Sequence, residues 1–273
     1  MSGIRKLPVY YIPHGGGPWH VMKEDFGSDP GYRSLETWLA GLGTRHGDAM
    51  KSILVVSAHW EERVPTVHFG ARPGMLYDYS GFPPHTYRLS WPAPGDPALA
   101  ARIEALLKAA GFETARETER GYDHGTFVPM MIAFPEARLP VAQLSLVSSL
   151  DPATHFDIGR ALESLRAEGV LIVASGMSYH NMRGFMMGGP SVASDSTRFD
   201  DWLTEAAAVS DPDARKAALA GWLEAPGARA CHPRSEHLVP LFLAAGAGAS
   251  DPGRRDYSGD LMGARISGFA FGG

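Results

Sequence analysis

Three histidines follow short apolar runs of the kind that form buried β-strands. They are His14, His59 and His180, and each lies two to six residues beyond the end of its run. Because the carboxyl ends of parallel strands meet at one edge of a sheet, where α/β proteins bind ligands, we expect these side chains to lie close together. A neutral imidazole is the commonest protein ligand for a metal and also exchanges protons near neutral pH. The pattern therefore indicates a metal or acid–base site, with hydrogen-bonded structural histidines as the alternative.

Two further histidines occur at turns or helix starts. His124 stands between Asp123 and Gly125, and His237 falls in the first turn of a helix predicted over about residues 235–245. The positive end of that helix dipole would disfavour imidazolium and keep His237 in the neutral form that binds a metal. Several other histidines have no supporting pattern, and we interpret them as surface or structural residues: His20, His46, His68, His85 and His155.

Neighbouring motifs have simpler interpretations. The glycines at 15–17 have neither the GxGxxG spacing nor the lysine of a phosphate-binding loop. Methionines 177, 182, 186 and 187 are interpreted as packing residues, since a copper site would need thioethers arranged together with the histidines.

Four apolar runs predict the strands that position the histidines. They cover residues 7–12, 53–57, 141–146 and 170–174, and they are nearly continuous in Val, Ile and Leu. Such composition is typical of strands that are covered on both faces.

Asp-Pro pairs mark the starts of three predicted helices, at residues 96–97, 151–152 and 211–212. The aspartate can accept hydrogen bonds from backbone N–H groups of the first turn. Proline has no backbone N–H, but an N–H group in the first turn would have no acceptor within the helix. A further helix is predicted over Ser196–Val209. Strands that alternate with helices predict an α/β fold: a three-layer sandwich with a central, mostly parallel sheet and helices on both faces. Arg72–Pro94 and Asn181–Asp195 are predicted to be irregular segments, which often line sites.

Composition excludes several classes of protein. The chain has 273 residues and a net charge of −5, which does not favour nucleic acid or an anionic membrane as a partner. No apolar run approaches the ~18 residues that span a bilayer, and residues 1–18 lack a signal-peptide pattern. The single cysteine, Cys231, excludes an intrachain disulfide and zinc sites built on two or more thiolates. We therefore expect a cytoplasmic protein of one or two domains.

The chain resembles the class III extradiol ring-cleaving dioxygenases, in particular the 4,5-DOPA extradiol dioxygenase branch. The motifs that carry the resemblance occur in order: His14–Pro18, Ser57–Trp60, Tyr77–Pro83, Trp91–Gly95, Gly121–Gly125, Ser175–Asn181 and Glu236–Leu241. One departure is that the usual His-Gly-Ser-Pro turn here reads His-Gly-Gly-Gly-Pro, which lengthens the turn and removes a hydroxyl group.

The resemblance implies one catalytic α/β domain over residues 1–273. It implies a non-haem metal held by His14, His59 and His237, with Fe(II) as the catalytic ion. A three-histidine site also suits Zn(II). His180 is implied as the acid/base beside the metal or as a further ligand, and His124 as a residue behind the ligands or in contact with substrate. We expect His237 rather than Glu236 to bind the metal, because neighbouring helical residues point about 100° apart.

The implied reaction is cleavage of a catechol-type ring with O2 to a muconic semialdehyde-type product, with a small aromatic diol and O2 as the partners. Tyr77, Tyr79 and Phe82 are expected to form an aromatic wall, with loop packing as the alternative. Arg183 is a candidate to hold a substrate carboxylate, with a structural salt bridge as the alternative. Two other functions stay open: a zinc-dependent hydrolase that uses the same three histidines, and a non-catalytic metal-binding relative. The oligomeric state cannot be read from the sequence.

Overall fold

One eight-stranded sheet forms the centre of the fold. The computed structural model describes residues 6–273, and residues 1–5, where the segment inspected for a signal peptide begins, lie outside the described residues. The order of the strands in the sheet is β4-β3-β5-β2-β6-β1-β8-β7. The strands are β1 (Val9–Pro13), β2 (Ser52–Glu62), β3 (Thr66–His68), β4 (Ala115–Glu117), β5 (Val141–Val147), β6 (Val170–Gly176), β7 (Gly253–Leu261) and β8 (Ala264–Phe271).

The middle of the sheet is parallel. Strands β5, β2, β6 and β1 pair in parallel, and every residue of β1 and β6 is buried. Antiparallel pairs join β3 to β5, β8 to β1 and β7 to β8. The four predicted strands and the mostly parallel sheet are therefore confirmed. Burial on both faces accounts for their continuous apolar composition.

Helices cover both faces of this sheet. On one side α4 packs against β2 and β6 with α2 beside it, and on the other α10 packs against β1 and β6 with α5 outside it. This is the predicted three-layer α/β sandwich. The helices of the described residues are α1 (Lys23–Phe26), α2 (Pro30–Leu42), α3 (Pro97–Ala109), α4 (His124–Ala133), α5 (Pro152–Ala161), α6 (Met182–Met187), α7 (Pro190–Ala208), α8 (Pro212–Ala220), α9 (Ala228–Cys231) and α10 (Val239–Ala247).

The Asp-Pro starts form as predicted. Asp96, Asp151 and Asp211 cap α3, α5 and α8, and each carboxylate accepts a backbone hydrogen bond of 2.7–2.9 Å from the third residue after it. Caps of this type stabilise a helix by about 1 kcal/mol each.

Several elements differ from the sequence-based expectation. Arg72–Pro94 is not one of them, since it is irregular as predicted apart from a 3-10 turn at Pro84–Arg88. The prediction that Asn181–Asp195 is irregular was wrong, because Asn181 caps the short helix α6 through the amide of Gly184. For its part, α7 begins at Pro190, six residues before the predicted start. The hairpin β7–β8 was not predicted, since exposed charged residues interrupt its apolar pattern.

Over residues 6–273, the structure contains no helix that combines the length and the hydropathy needed to cross a bilayer.

Close backbone contact between α5 and α10 fixes the position of α10. A Cβ atom on Gly246 would overlap the carbonyl oxygen of Phe156, and one on Gly159 would overlap that of Leu243. Each helix therefore needs glycine where it meets the other. This contact matters for the site, because the segment containing His237 leads directly into α10.

We predict that Gly246→Ala lowers the free energy of unfolding by about 1–3 kcal/mol or more, because the added methyl group must push α5 and α10 apart. Urea denaturation measures the change. Gly221→Ala is the matched control, since its Cβ would lie 3.4 Å from the carbonyl oxygen of Ala218, at a φ of −79° that alanine tolerates. A Gly246→Ala protein as stable as the control would contradict this account of the packing.

Candidate metal centre

His14 and His180 lie beyond the carboxyl ends of neighbouring strands, as predicted. His14 directly follows β1, and its amide donates to the carbonyl of Gly176 at the end of β6 (3.2 Å). His180 lies four residues after β6. These two strands are parallel neighbours, so their loops emerge side by side.

The expectation for His59 needs a correction. This residue does not follow its strand, because β2 continues to Glu62. The pairing of β2 with β5 shifts register between Val56 and Glu61, so His59 lies in an irregular part of the strand. An irregularity of this kind re-aims side chains next to active sites.

The expectation for His237 also needs a correction. Helix α10 begins at Val239, so His237 lies in the turn before the helix and not in its first turn. Its carbonyl accepts hydrogen bonds from the amide of Met177 (3.0 Å) and the hydroxyl of Tyr11 (2.8 Å). Tyr11 in β1 and Met177 just after β6, rather than the helix itself, therefore hold this histidine in place.

The three histidines converge. The ring centroids are 5.0 Å apart for His14 and His59, 5.2 Å for His14 and His237, and 4.8 Å for His59 and His237. One nitrogen from each ring lies within 4.8 Å of the other two. Residues that are far apart in the sequence thus present three ligand atoms to one point.

In each of these rings, Nδ1 faces an acceptor. Nδ1 of His14 lies 2.7 Å from the carbonyl oxygen of Gly15, and Nδ1 of His237 lies 2.9 Å from Oε1 of Glu236. Nδ1 of His59 lies 3.5 Å from a carboxylate oxygen of Asp78. Acceptors of this kind fix the tautomer of a metal-binding histidine by taking the proton on the other nitrogen.

The remaining Nε2 atoms fit a bound cation. Those of His59 and His237 lie 3.2 Å apart. This distance matches the spacing of two nitrogens that each lie about 2.1 Å from one ion, which is roughly 3.0–3.4 Å. Nε2 of His14 is buried, and no group of the described residues hydrogen-bonds to it. With the protons on Nδ1, these lone pairs face one another. A divalent metal would satisfy all three.

Burial keeps the three imidazoles neutral. Loss of solvation lowers the pKa values of His14, His59 and His237 well below the ordinary histidine value, and neighbouring histidines lower them further. The neutral ring is the form that binds a metal.

Asp78 and Glu236 each contact one of the three converging histidines and one further histidine of the site. Asp78 accepts from Nδ1 of His124 (2.9 Å) and also faces His59. Oε1 of Glu236 lies 2.9 Å from Nδ1 of His237 and 3.3 Å from Nδ1 of His180. Burial by itself would raise the pKa of both carboxyl groups, but hydrogen bonds from these histidines lower both pKa values.

Sequence reasoning missed these two anchors. The sequence assigns no role to Asp78 within the motif Tyr77–Pro83, and it offers Glu236 only as an alternative ligand to His237. For Asp78, the available signal was its position in Arg72–Pro94, an irregular segment expected to line a site. The structure brings the ring of His237, and not the carboxylate of Glu236, to His14 and His59.

His124 and His180 flank the three converging rings. His124 is the first residue of α4, and its ring centroid lies 3.9 Å from that of His59 and 5.2 Å from that of His14. The ring of His180 stacks on that of His237 with centroids 3.4 Å apart. Both stand where they could exchange protons with a ligand of the metal.

Asp123, the cap of α4, also supports His59. Its carboxylate accepts from Ser57 Oγ (2.7 Å) and Arg120 (3.0 Å). Ser57 Oγ in turn accepts from the amide of His59 (3.2 Å), and Arg120 donates to the carbonyl of His59 (2.9 Å). The backbone of His59 and the start of α4 are therefore held as one unit.

The histidines form the floor of a cavity of about 370 Å³. Tyr79 and Phe82, two of the expected wall residues, line it. Tyr77 and Arg183 are not among the described residues that line it. The hydroxyl of Tyr77 donates to the carbonyl of Leu89 (2.6 Å), and its ring packs against Phe127. The guanidinium of Arg183 turns to the sulfur of Met187 (3.4 Å).

Comparisons with known proteins identify relatives of this chain in sequence and in structure. Residues 8–269 match the family described as the catalytic LigB subunit of aromatic ring-opening dioxygenase. The chain is 37% identical to dioxygenase tasH of Hapsidospora irregularis, over 97% of this chain and 86% of that protein. It is 42% identical to the 4,5-DOPA dioxygenase extradiol of Portulaca grandiflora, over 72% of this chain and 73% of that protein. A crystal structure of an uncharacterized protein from Escherichia coli K12 superposes with a TM-score of 0.78 at 30% identity, over 98% of this chain and all of that one.

We predict that His14→Ala, His59→Ala and His237→Ala each lower bound Co(II) from about one ion per chain to near zero after dialysis, because two imidazoles hold the ion poorly. Elemental analysis measures the metal content. The control is His85→Ala, an exposed histidine in the 3-10 turn, which should keep its ion. Full occupancy in all three variants would contradict the assignment.

Proposed function

Because this chain belongs to the family of the catalytic LigB subunit of aromatic ring-opening dioxygenases, we propose that it is a metal-dependent extradiol dioxygenase. The proposed substrate is a catechol-type diol, which reacts with O2 to give a muconic semialdehyde-type product. We propose that residues 1–273 act as one catalytic domain, in agreement with the extent of the family match.

The convergence of His14, His59 and His237 at the floor of the cavity carries this proposal. Their free Nε2 atoms would hold the metal, with Fe(II) proposed as the catalytic ion. When bound, that ion would bind the diol and O2 and allow electrons to pass from the ring to oxygen. Three imidazoles also bind Zn(II) well, so a purified sample can carry zinc without zinc being the catalytic metal.

His180 is the proposed acid/base. Glu236 accepts the hydrogen on Nδ1 of His180, which leaves Nε2 able to take a proton from a substrate hydroxyl. The ring of His180 stacks on that of His237, so a diol bound at the proposed metal would lie within its reach. The same nitrogen can return the proton later in the reaction. A well-placed group of this kind contributes about 10²–10⁴ in rate.

His124 is proposed to contact the substrate. Its Nδ1 hydrogen is held by Asp78, so Nε2 can accept a hydrogen bond from a ring hydroxyl. Its ring lies 6.0 Å from that of Tyr79, and the ring of Tyr79 lies 5.4 Å from that of Phe82. These two aromatic side chains are proposed to contact the substrate ring, each worth roughly 0.5–1.5 kcal/mol.

We predict that His180→Ala keeps its metal and loses about 10²–10⁴ in turnover, because the site would lose its acid/base but none of its proposed ligands. The protein is loaded anaerobically with Fe(II), its metal content is measured, and oxygen uptake with catechols is followed. The control is His85→Ala, which should match the wild type in both measurements.

Three outcomes would contradict the proposal. Loss of metal in His180→Ala would make this residue a ligand rather than an acid/base. Hydrolysis without O2, with zinc as active as iron, would identify a hydrolase. An iron-loaded protein that consumed no oxygen with any catechol would identify a non-catalytic relative.

A further inference from the structure

We propose that the substrate carries an apolar substituent on its diol ring and that the outer half of the cavity binds this substituent. The inference rests on the proposed function and narrows its substrate class to catechols with an alkyl or aryl group. It excludes catechols that carry a carboxylate or amino-acid group as the preferred substrates.

The lining of the cavity is the first observation. None of the 18 described residues that line it is Lys, Arg, Asp or Glu. Away from the histidine floor, the walls are aromatic rings, methionines, Leu261 and the glycines at 15–17. The hydroxyl of Tyr79 already donates to the carbonyl of Thr86 (2.6 Å). A charged substituent would lose its hydration here and gain no ionic partner, which is unfavourable.

Cations on the neighbouring elements are engaged elsewhere. Lys23 on α1 pairs with Glu36 (2.5 Å), and Arg265 on β8 pairs with Asp260 (2.9 Å). Arg183 on α6 faces Met187 and not the cavity. Recognition of a substrate carboxylate normally uses a charge-assisted hydrogen bond from such a cation. These three cations are therefore not positioned to bind a substrate carboxylate in the cavity.

Exposed apolar side chains concentrate at the cavity. Five large apolar residues of the described chain are exposed, and three of them line this one cavity: Met182 (58%), Met186 (75%) and Met262 (42%). Clustered exposure of this kind marks a binding surface rather than random variation. Methionine is flexible and polarizable, so it adapts to apolar groups of different shapes.

Met262 has a backbone conformation that is unfavourable for methionine. It lies in the two-residue turn between β7 and β8 with a φ of +50°, and Gly263 follows with a φ of +82°. Asn, Asp or Gly is favoured at the first position of such a turn. A strained residue at a site points to a functional role. Here the side chain reaches the cavity and accepts a weak hydrogen bond from Tyr32 (3.9 Å).

A binding series without oxygen tests the inference. Fe(II)-loaded and metal-free protein are titrated by calorimetry with catechol and its 4-methyl, 4-ethyl, 4-propyl and 4-butyl derivatives, and with 3-(3,4-dihydroxyphenyl)propionate. The dissociation constant should fall about threefold per added methylene group in both forms of the protein. The carboxylate should bind at least tenfold more weakly than the butyl compound of similar length.

A matched pair of variants locates the subsite. Met186→Lys introduces a cation at the cavity. It should lower the ratio of the dissociation constant of the carboxylate to that of the butyl compound several-fold. Met187→Lys adds the same charge on the same helix, but Met187 is exposed and does not line the cavity. The ratio of the two dissociation constants should therefore stay as in the wild type.

The outcomes separate this inference from the proposed function. Equal or tighter binding of the carboxylate, or no dependence on chain length, would overturn the inference even if the protein cleaves catechols in air. A chain-length dependence without oxygen uptake would support the apolar subsite and contradict the dioxygenase. Equal effects of the two lysine variants would show that the substituent does not lie against α6, contrary to the inference.

Discussion

Three neutral imidazoles that face one another in the interior are the constraint on which the rest of the site depends. The Nε2 atoms of His59 and His237 are 3.2 Å apart, and with the hydrogens on Nδ1 neither can donate to the other. Such an arrangement favours a cation between the nitrogens, because neither lone pair can be satisfied by the other ring. The rings stay in place because Gly15, Asp78 and Glu236 hold their opposite sides.

The sheet supplies the rigidity that this convergence needs. Parallel pairing of β1 with β6 brings the loops after both strands to one place. The carbonyl of His237 is tied to Tyr11 in β1 and to Met177 just after β6. The close contact of α10 with α5 at their glycines fixes the position of α10, the helix that follows His237. A metal site built this way is largely preorganised, since its ligands are held by backbone contacts as well as by side chains.

The cavity above the metal centre has two chemically different ends. Its floor holds five histidines backed by two carboxylates, whereas its outer wall is apolar. In the proposed function a diol binds at the floor, and in the further proposal its apolar substituent lies against the methionines and aromatic rings. The floor thus accounts for the proposed reaction and the wall for the proposed preference among substrates.

The sequence alone determined the local features. Continuous apolar runs predicted the four central strands, and Asp-Pro pairs predicted three helix starts, because both signals depend on residues that are close in the chain. The positions of His14 and His180 after β1 and β6 followed from the same strands. The motifs in order also indicated the family.

Only the tertiary structure decided how these parts meet. It showed His59 inside an irregular part of β2, His237 in a turn, and Asp78 joined to His124 across 46 residues of sequence. It also turned Arg183 towards Met187 and placed Met262 at the cavity. These features depend on register shifts and on contacts between distant segments, for which the local sequence carries no periodic signal.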